Sequence, residues 1–259
     1  MLNFKQFLER QDVPTMEALK QSAHQAFDNL VSFYKQYEKS FRKRRAREDR
    51  HDYVMELGGI ITDRIYTPPS IGSYSITIHR TGQGVMSKLG KLSGELRGST
   101  IILYDETISD LIRKLNELAD MFRWRSIQNE TPKAGSIRKQ ANEIILSLLK
   151  ELENKKEVFL DILYHEIVHA TRHGSVPDPT LKPGWTLGDL QNAYVNNPAE
   201  TDAYFLTKAN RLLQDKQYSS FPEFLNDFKE SIPQWEVIND KIKKKMIARL
   251  YQLFTSSKI

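Results

Sequence analysis

The sequence predicts an α+β fold that is mostly helical, with a small β-sheet ahead of a helix that carries the pattern His-Glu-x-x-His. Three observations support this prediction. A long amphipathic helix pattern comes first, two strand patterns follow in a segment punctuated by glycine and proline, and helical patterns then continue to the end. An order of helix, sheet and then several helices is typical of an α+β fold dominated by helix.

The first element is a long helix. From Met16 to Phe41 the apolar and aromatic residues recur at helical spacing, and the pattern runs into the basic cluster Arg42–Arg50. We predict that residues 1–50 form an N-terminal helical region that docks on the domain or on a partner. Residues 51–259 are then predicted to form one domain, since their length suits a single unit.

The sheet is predicted between Leu57 and Asp105. Within it, Tyr74–His79 alternates apolar and polar residues, which indicates a half-buried strand. Ile101–Tyr104 is continuously apolar or aromatic and indicates a second, more buried strand. The stretch Thr81–Gly98 between them is rich in glycine and lysine, so we expect a long connection there.

Helical patterns follow Asp105 up to the C-terminus. The motif helix is expected to stop before Gly174, a residue common just past a helix end, and a later helix is expected to begin at Pro198, where proline suits the first turn. An irregular loop rich in proline and glycine is expected between them, at Ser175–Gly188. The predicted helical stretches are Leu111–Phe122, Ile144–Leu152, Glu157–His173, the helix from Pro198, Phe221–Phe228 and Ile238–Phe254.

Composition excludes several classes of site. The chain has no cysteine, so disulfides and thiolate metal ligands are excluded and any metal must be held by His, Asp or Glu. The N-terminus has no apolar core of a secretory signal, and no stretch approaches 18 consecutive apolar residues. We therefore expect a cytoplasmic protein with no membrane partner.

The net charge of +5 is a modest excess, concentrated in two clusters, Arg42–Arg50 and Lys241–Lys245. Such clusters are most often solvated helix faces, with contact to nucleic acid or to an anionic surface as the alternative. Basic and aromatic residues are not interleaved as in known nucleic-acid-binding modules, so nucleic acid is the weakest of the expected partners.

Residues 165–169 read His-Glu-Ile-Val-His. On a helix, His165 and His169 lie on one face, one turn apart, so both imidazoles can reach one metal ion. Glu166 lies about 100° round the helix, where it can accept a proton from a water molecule that a metal activates. A chain of this composition contains the pattern by chance about 0.01 times. The alternative is a helix that merely carries two histidines.

A catalytic zinc ion needs a third protein ligand and one open position. His173 is one turn further along, about 12 Å from His165 along the helix axis, and is too distant. Asp202 faces away when Glu200 faces inward. We therefore predict Glu200 as the third ligand. The alternative is that Glu200 folds back on Asn197 in a capping box.

The segment HEIVH, followed by NNPAETDAY, resembles the gluzincin-type zinc metallopeptidases. The resemblance implies a zincin-like fold in which His165, His169 and Glu200 bind Zn²⁺ and Glu166 is the catalytic glutamate. It also implies that the strand Ser99–Asp105 is an edge strand that binds an extended peptide or protein substrate. The match covers less than a fifth of the chain, and it departs from the gluzincin pattern, which has Asp four residues after the ligand Glu where this chain has Tyr204.

The opening MLNFKQFLER is similar to the starts of many tailed-phage proteins. This second resemblance implies a phage-encoded protein, present in the host cytoplasm or in the virion.

The resulting hypothesis is a zinc-dependent metallopeptidase that hydrolyses peptide bonds with a metal-activated water and Glu166 as general base. A catalytically inactive, zinc-stapled structural protein of virion type is the second hypothesis, although such a site has no use for Glu166. A nucleic-acid-binding protein is the third. The sequence leaves the oligomeric state and the oxyanion-stabilising group open; the candidates for that group are Tyr194, Tyr204, His173, Arg172 and His79.

Overall fold

The structure is a computed structural model that describes residues 16–43, 65–66, 74–80, 94–127, 134–172, 186, 188–189, 192–193, 196–232 and 235–256. Among these residues, one long helix precedes four short strands and six further helices. The elements are α1 Met16–Lys43, β1 Ile65–Tyr66, β2 Ser75–His79, β3 Gly94–Arg97, β4 Thr100–Tyr104, α2 Glu106–Ile127, α3 Ala134–Asn154, α4 Lys156–Arg172, α5 Pro198–Asp215, α6 Phe221–Glu230 and α7 Asp240–Ser256. A 3₁₀ turn, Trp235–Val237, precedes α7.

The four strands form one mixed sheet with the order β1-β2-β4-β3. Strands β2 and β4 run parallel, with Ile76 opposite Ile101, and the two outer strands pair antiparallel to their neighbours. The described chain is thus mostly helical, with a small sheet that precedes the motif helix α4. The predicted α+β class is confirmed.

The prediction of a long connection over Thr81–Gly98 is wrong at its C-terminal end. Residues 94–97 form strand β3, which folds back on β4 as a hairpin and pairs Arg97 with Thr100. The two-residue turn between them contains Gly98 with φ of +59°, a conformation that glycine adopts at little cost. The Gly98-Ser99 pair was a usable signal for this hairpin. The two-residue strand β1 was also not predicted.

The expectation that Ser99–Asp105 is an edge strand is also wrong. Strand β4 lies inside the sheet, with β2 on one side and β3 on the other, because the β3 hairpin occupies the edge that the resemblance left free. The strand is as buried as predicted, since Ile101, Ile102 and Leu103 are at most 6% exposed. Backbone groups of β4 are therefore used within the sheet, and an extended substrate cannot pair with it.

Helix α1 has one buried face and one exposed face, as its sequence pattern predicts. Its buried side chains recur at helical spacing, and the residues that carry this face are Leu19, Ser22, Ala23, Ala26, Phe27, Leu30 and Tyr34. The face is thus covered within this chain. The predicted boundary at residue 50 lies outside the described residues.

The chain divides into two compact units, one of His24–Leu163 and one of Met1–Ala23 together with Tyr164–Ile259. The sheet, α2 and α3 belong to the first unit. The second unit has a core made by α5, α6, the 3₁₀ turn and α7. None of the helices in the described ranges is long and apolar enough to cross a membrane.

That second core is built largely from aromatic rings. Phe205 of α5 contacts Phe228 of α6 and Trp235 of the 3₁₀ turn, with ring centroids 5.6 Å and 6.1 Å apart. Phe224 of α6 stacks on Phe254 of α7 at 5.8 Å. Edge and stacked ring contacts of this kind add to the large apolar area that aromatic residues bury. They hold α5 against α6 and α7.

Candidate metal centre

Helix α4 presents both motif histidines on one face. The helix is amphipathic, and its buried apolar side chains are Phe159, Leu160, Leu163, Ile167 and Val168. His165 and His169 are one turn apart, and their rings meet edge to face with centroids 4.7 Å apart. Their Nε2 atoms lie 3.0 Å from each other. The helical spacing predicted from the sequence therefore places the two Nε2 atoms close enough to bind one metal ion.

Glu200 reaches the same point from the first turn of α5. Asn197 caps this helix by accepting a hydrogen bond from the backbone N–H of Ala199 at 3.0 Å, and Pro198 occupies the first turn. Glu200 Oε2 lies 3.5 Å from Nε2 of His165 and 3.3 Å from Nε2 of His169. Asn197 supplies the acceptor of the cap, while the Glu200 carboxylate faces the histidines. The structure thus brings together the three residues that the sequence predicts as ligands.

Two of the three donor separations match the spacing of donors around a tetrahedral zinc ion, and the separation of the two histidine nitrogens is shorter. Zn–N and Zn–O bonds of about 2.0–2.2 Å separate neighbouring donors of a tetrahedron by about 3.3–3.5 Å. The three donor separations here are 3.0, 3.3 and 3.5 Å. Among the described residues, His165, His169 and Glu200 are the group able to hold a metal ion, with all donor atoms within 4.8 Å of one another.

Burial adds a second indication. Glu200 Oε2 is buried and accepts no hydrogen bond of acceptable geometry from the described chain. A buried carboxylate oxygen without a donor is costly unless a cation or a bound molecule satisfies it. The side chains of His169, Glu200 and His165 are 3%, 12% and 16% exposed, so solvent reaches the group from the side of His165 and Glu200.

The protonation states favoured by this environment suit metal binding. Burial lowers the pKa of His165, which favours the neutral imidazole that metals bind. Burial alone would raise the pKa of the Glu200 carboxyl, but the two imidazoles beside it hold that pKa well below its usual range. His165 therefore offers a neutral nitrogen donor, and Glu200 offers an ionised oxygen donor.

Glu166 follows His165 directly in α4 and is only 4% exposed. Among the described residues, it is not a member of the three-residue group able to hold a metal. Glutamate is rarely buried in the middle of a helix, because burial of an ionisable carboxyl is unfavourable unless other groups compensate for it.

Asp202 is not one of the three residues able to hold the metal ion. Its carboxylate forms an ion pair with Arg249 of α7, and its side chain is 15% exposed. The sequence predicts only that Asp202 faces away when Glu200 faces inward. Sequence patterns could not have found Arg249, because the pair joins two helices far apart in the chain.

Two of the five candidate oxyanion donors have described side chains. Tyr204 packs against the aromatic core of α5, α6 and α7, where burial raises the pKa of its hydroxyl. His79 lies at the end of β2 with its ring edge to face against Tyr104, at 6.5 Å between centroids. Tyr194, His173 and the side chain of Arg172 lie outside the described residues.

One lysine of the C-terminal basic cluster, Lys241–Lys245, contacts other residues of the same chain. Lys243 donates a hydrogen bond to the backbone carbonyl of Glu236 at 3.1 Å and lies 6.0 Å from the ring centroid of Trp235. Lys241, Lys244 and Lys245 are exposed. Most of the other cluster, Arg42–Arg50, lies outside the described residues.

Comparisons with models of protein families, with curated proteins and with solved structures find no match for this chain.

Proposed function

We propose that this chain is a zinc-dependent metallopeptidase that hydrolyses peptide bonds. The observation that carries the proposal is the convergence of His165 Nε2, His169 Nε2 and Glu200 Oε2 at 3.0–3.5 Å from two helices. Two histidines and one glutamate are the ligand set of well-known zinc peptidases, which leave a fourth position open for water or substrate. Glu166, next to a ligand in the same helix, adds the base that such chemistry needs.

Each residue has a distinct task in this proposal. His165, His169 and Glu200 hold the ion, which when bound lowers the pKa of a water molecule and polarises a carbonyl group. Glu166 accepts the proton of the attacking water on its carboxylate and donates it to the nitrogen of the leaving amine. Burial of Glu166 keeps bulk water away from its carboxylate and so strengthens its interactions.

The second candidate is an inactive protein in which zinc only joins α4 to α5. One observation favours it, namely that Glu166 and His169 are only 4% and 2% exposed, which leaves little room for substrate beside them. Against it stands the number of donors, since structural zinc sites have four protein ligands and the described residues offer three here. The two candidates differ in what they require of Glu166.

The deciding experiment compares Glu166→Gln with the wild-type protein and with Glu157→Gln, an exposed glutamate in the first turn of the same helix. Each is loaded with zinc, its zinc content is measured by elemental analysis, and cleavage is screened with casein and a peptide library. We expect one zinc per chain in all three. We expect Glu166→Gln to lose about 10²–10⁴ in cleavage rate and Glu157→Gln to keep the full rate.

Two outcomes would count against the peptidase. If zinc-loaded Glu166→Gln cleaves a substrate at the wild-type rate, the role of Glu166 is wrong. If the zinc-loaded wild-type protein cleaves nothing while zinc raises its thermal stability, the stapled structural protein becomes the better account.

A further inference from the structure

The first turn of α5, which carries Glu200, is tied to the segment that leads into α7. The side chain of Asn196 makes this connection with both of its polar atoms. Its Nδ2 donates to the backbone carbonyl of Val237 at 3.3 Å, and its Oδ1 accepts from the backbone N–H of Asn239 at 2.8 Å. Nδ2 also donates to the carbonyl of Asn192 at 2.8 Å. One amide thus joins three points of the backbone.

A second connection lies just beyond Glu200. Asp202, two residues later in α5, forms an ion pair with Nη1 of Arg249 in α7. The Asp202 side chain is 15% exposed, and Arg249 is 41% exposed. Glu200 therefore lies between two attachments, one four residues before it and one two residues after it.

Both attachments end on α7 or on the segment just before it, and these parts of the chain pack into the core. On α7, Met246, Leu250 and Phe254 are at most 6% exposed, and Trp235 in the preceding 3₁₀ turn is 8% exposed. The 3₁₀ turn and α7 thus belong to the aromatic core of this unit. A helix start is otherwise a place where the chain opens readily.

We propose that α7 and the turn before it hold Glu200 in its metal-binding position, with Asn196 and Asp202 as positioning residues. The inference rests on the proposed metal binding. A ligand that is in place for only a fraction of the time weakens the apparent affinity by that fraction. The two attachments raise that fraction because they fix the backbone on both sides of Glu200, so the C-terminal helix controls how tightly the centre binds its ion.

The test measures zinc affinity by competition with a chelator for the wild-type protein, Asn196→Ala and Arg249→Met. Asn192→Ala is the matched control, because Asn192 is an exposed asparagine whose backbone carbonyl, not its side chain, bonds to Asn196. We expect Asn196→Ala and Arg249→Met each to weaken zinc binding about tenfold, the lower end of the range for groups that support a metal ligand. We expect Asn192→Ala to bind as the wild-type protein does.

Thermal unfolding with and without zinc separates positioning from general stabilisation. Zinc stabilises the native state by an amount that depends on its affinity, so a weaker site gives a smaller zinc-induced rise in Tm. Asn196→Ala and Arg249→Met should show a smaller rise than the wild-type protein. Asn196→Asp, which keeps the acceptor for Asn239 and loses the donor for Val237, should lie between Asn196→Ala and the wild-type protein.

The outcomes distinguish this inference from the proposed function. If the wild-type protein binds no zinc, both are overturned. If it binds zinc and the variants bind with the affinity of Asn192→Ala, or lower Tm equally with and without zinc, the positioning role is overturned and the metal site stands. Should Asn196→Ala not fold, Arg249→Met and Asn196→Asp carry the same test.

Discussion

Two half-buried carboxylates, one in each compact unit, have opposite surroundings. Glu95 of β3, with a side chain 17% exposed, accepts a hydrogen bond from the hydroxyl of Tyr104 and another from Arg97 at 2.6 Å. Glu200 of α5, 12% exposed, points its Oε2 at two imidazole nitrogens and accepts no well-formed hydrogen bond from the described residues. The carboxylate of Glu95 thus has well-formed hydrogen bonds within the sheet, whereas Oε2 of Glu200 faces two imidazole nitrogens at 3.3–3.5 Å.

This difference separates a structural carboxylate from a candidate ligand. An ionised carboxylate can be satisfied by donors such as a phenol and a guanidinium, and the charge of Glu95 is then balanced within the chain. An imidazole ring nitrogen can offer a lone pair, so the two imidazoles and the Glu200 carboxylate together could bind one cation. Glu95 and Glu200 are therefore similarly exposed, but the groups that face their carboxylates are different.

The largest effect is expected when both imidazoles are removed. The double variant His165→Ala, His169→Ala leaves only one donor of the group, so zinc content after reconstitution should fall from one per chain to none. Elemental analysis measures this, with His24→Ala as the control because His24 is exposed on α1. Retention of one tightly bound zinc by the double variant would mean that the metal binds elsewhere.

The contrast between Glu95 and Glu200 is tested by changing each of the two residues to glutamine. Glu200→Gln removes the anionic donor and should weaken zinc binding more than about 10²-fold, beyond the range for groups that only support a ligand. Glu95→Gln should leave zinc affinity unchanged and alter the free energy of unfolding by no more than about 1 kcal/mol. Isothermal titration or chelator competition gives the affinities. Equal zinc affinity of the two variants would contradict the assignment of Glu200.

The smallest effect is expected at a polar group of the sheet that is already satisfied. Ser75 of β2 is 8% exposed and shares a hydrogen bond of 2.8 Å with the hydroxyl of Thr100. Ser75→Ala leaves that hydroxyl without its partner and should lower the free energy of unfolding by about 1 kcal/mol, with zinc affinity unchanged. Denaturant unfolding measures the loss. Ser99→Ala, at an exposed turn position, should cost less than about 0.5 kcal/mol.

The sequence was most informative where chemistry depends on local spacing. The i, i+4 spacing of His165 and His169 predicts their shared face, and the start of α5 at Pro198 follows from the cap and proline signals. Glu200 was found by exclusion of other donors. The helical segments are likewise predicted from their apolar period. Most observed helix ends lie within about five residues of the predicted ones, but α3 begins at Ala134, ten residues before the predicted start at Ile144.

The sequence was least informative where pairing is distant or elements are short. Strand β1 has two residues and depends on pairing with β2, so no periodic pattern can reveal it. Whether β4 lies at an edge depends on which strands flank it, and the short β3 decides that. The attachments of Asn196 and Asp202 to the C-terminal segment join residues more than 40 positions apart, and no local rule connects such residues.

The make-up of the donor set has a consequence for which ion the proposed metal centre would carry. Two imidazole nitrogens and one carboxylate oxygen, with no sulfur, also accept other first-row divalent ions, and the affinity of such sites rises from manganese through iron, cobalt and nickel to copper. Selection among these ions in a cell depends on site geometry and on metal supply more than on affinity. The chain therefore specifies the geometry of the donor atoms, while the metal supply of the growth medium contributes to the identity of the ion. Protein produced at different metal supplies should be isolated with different bound metals.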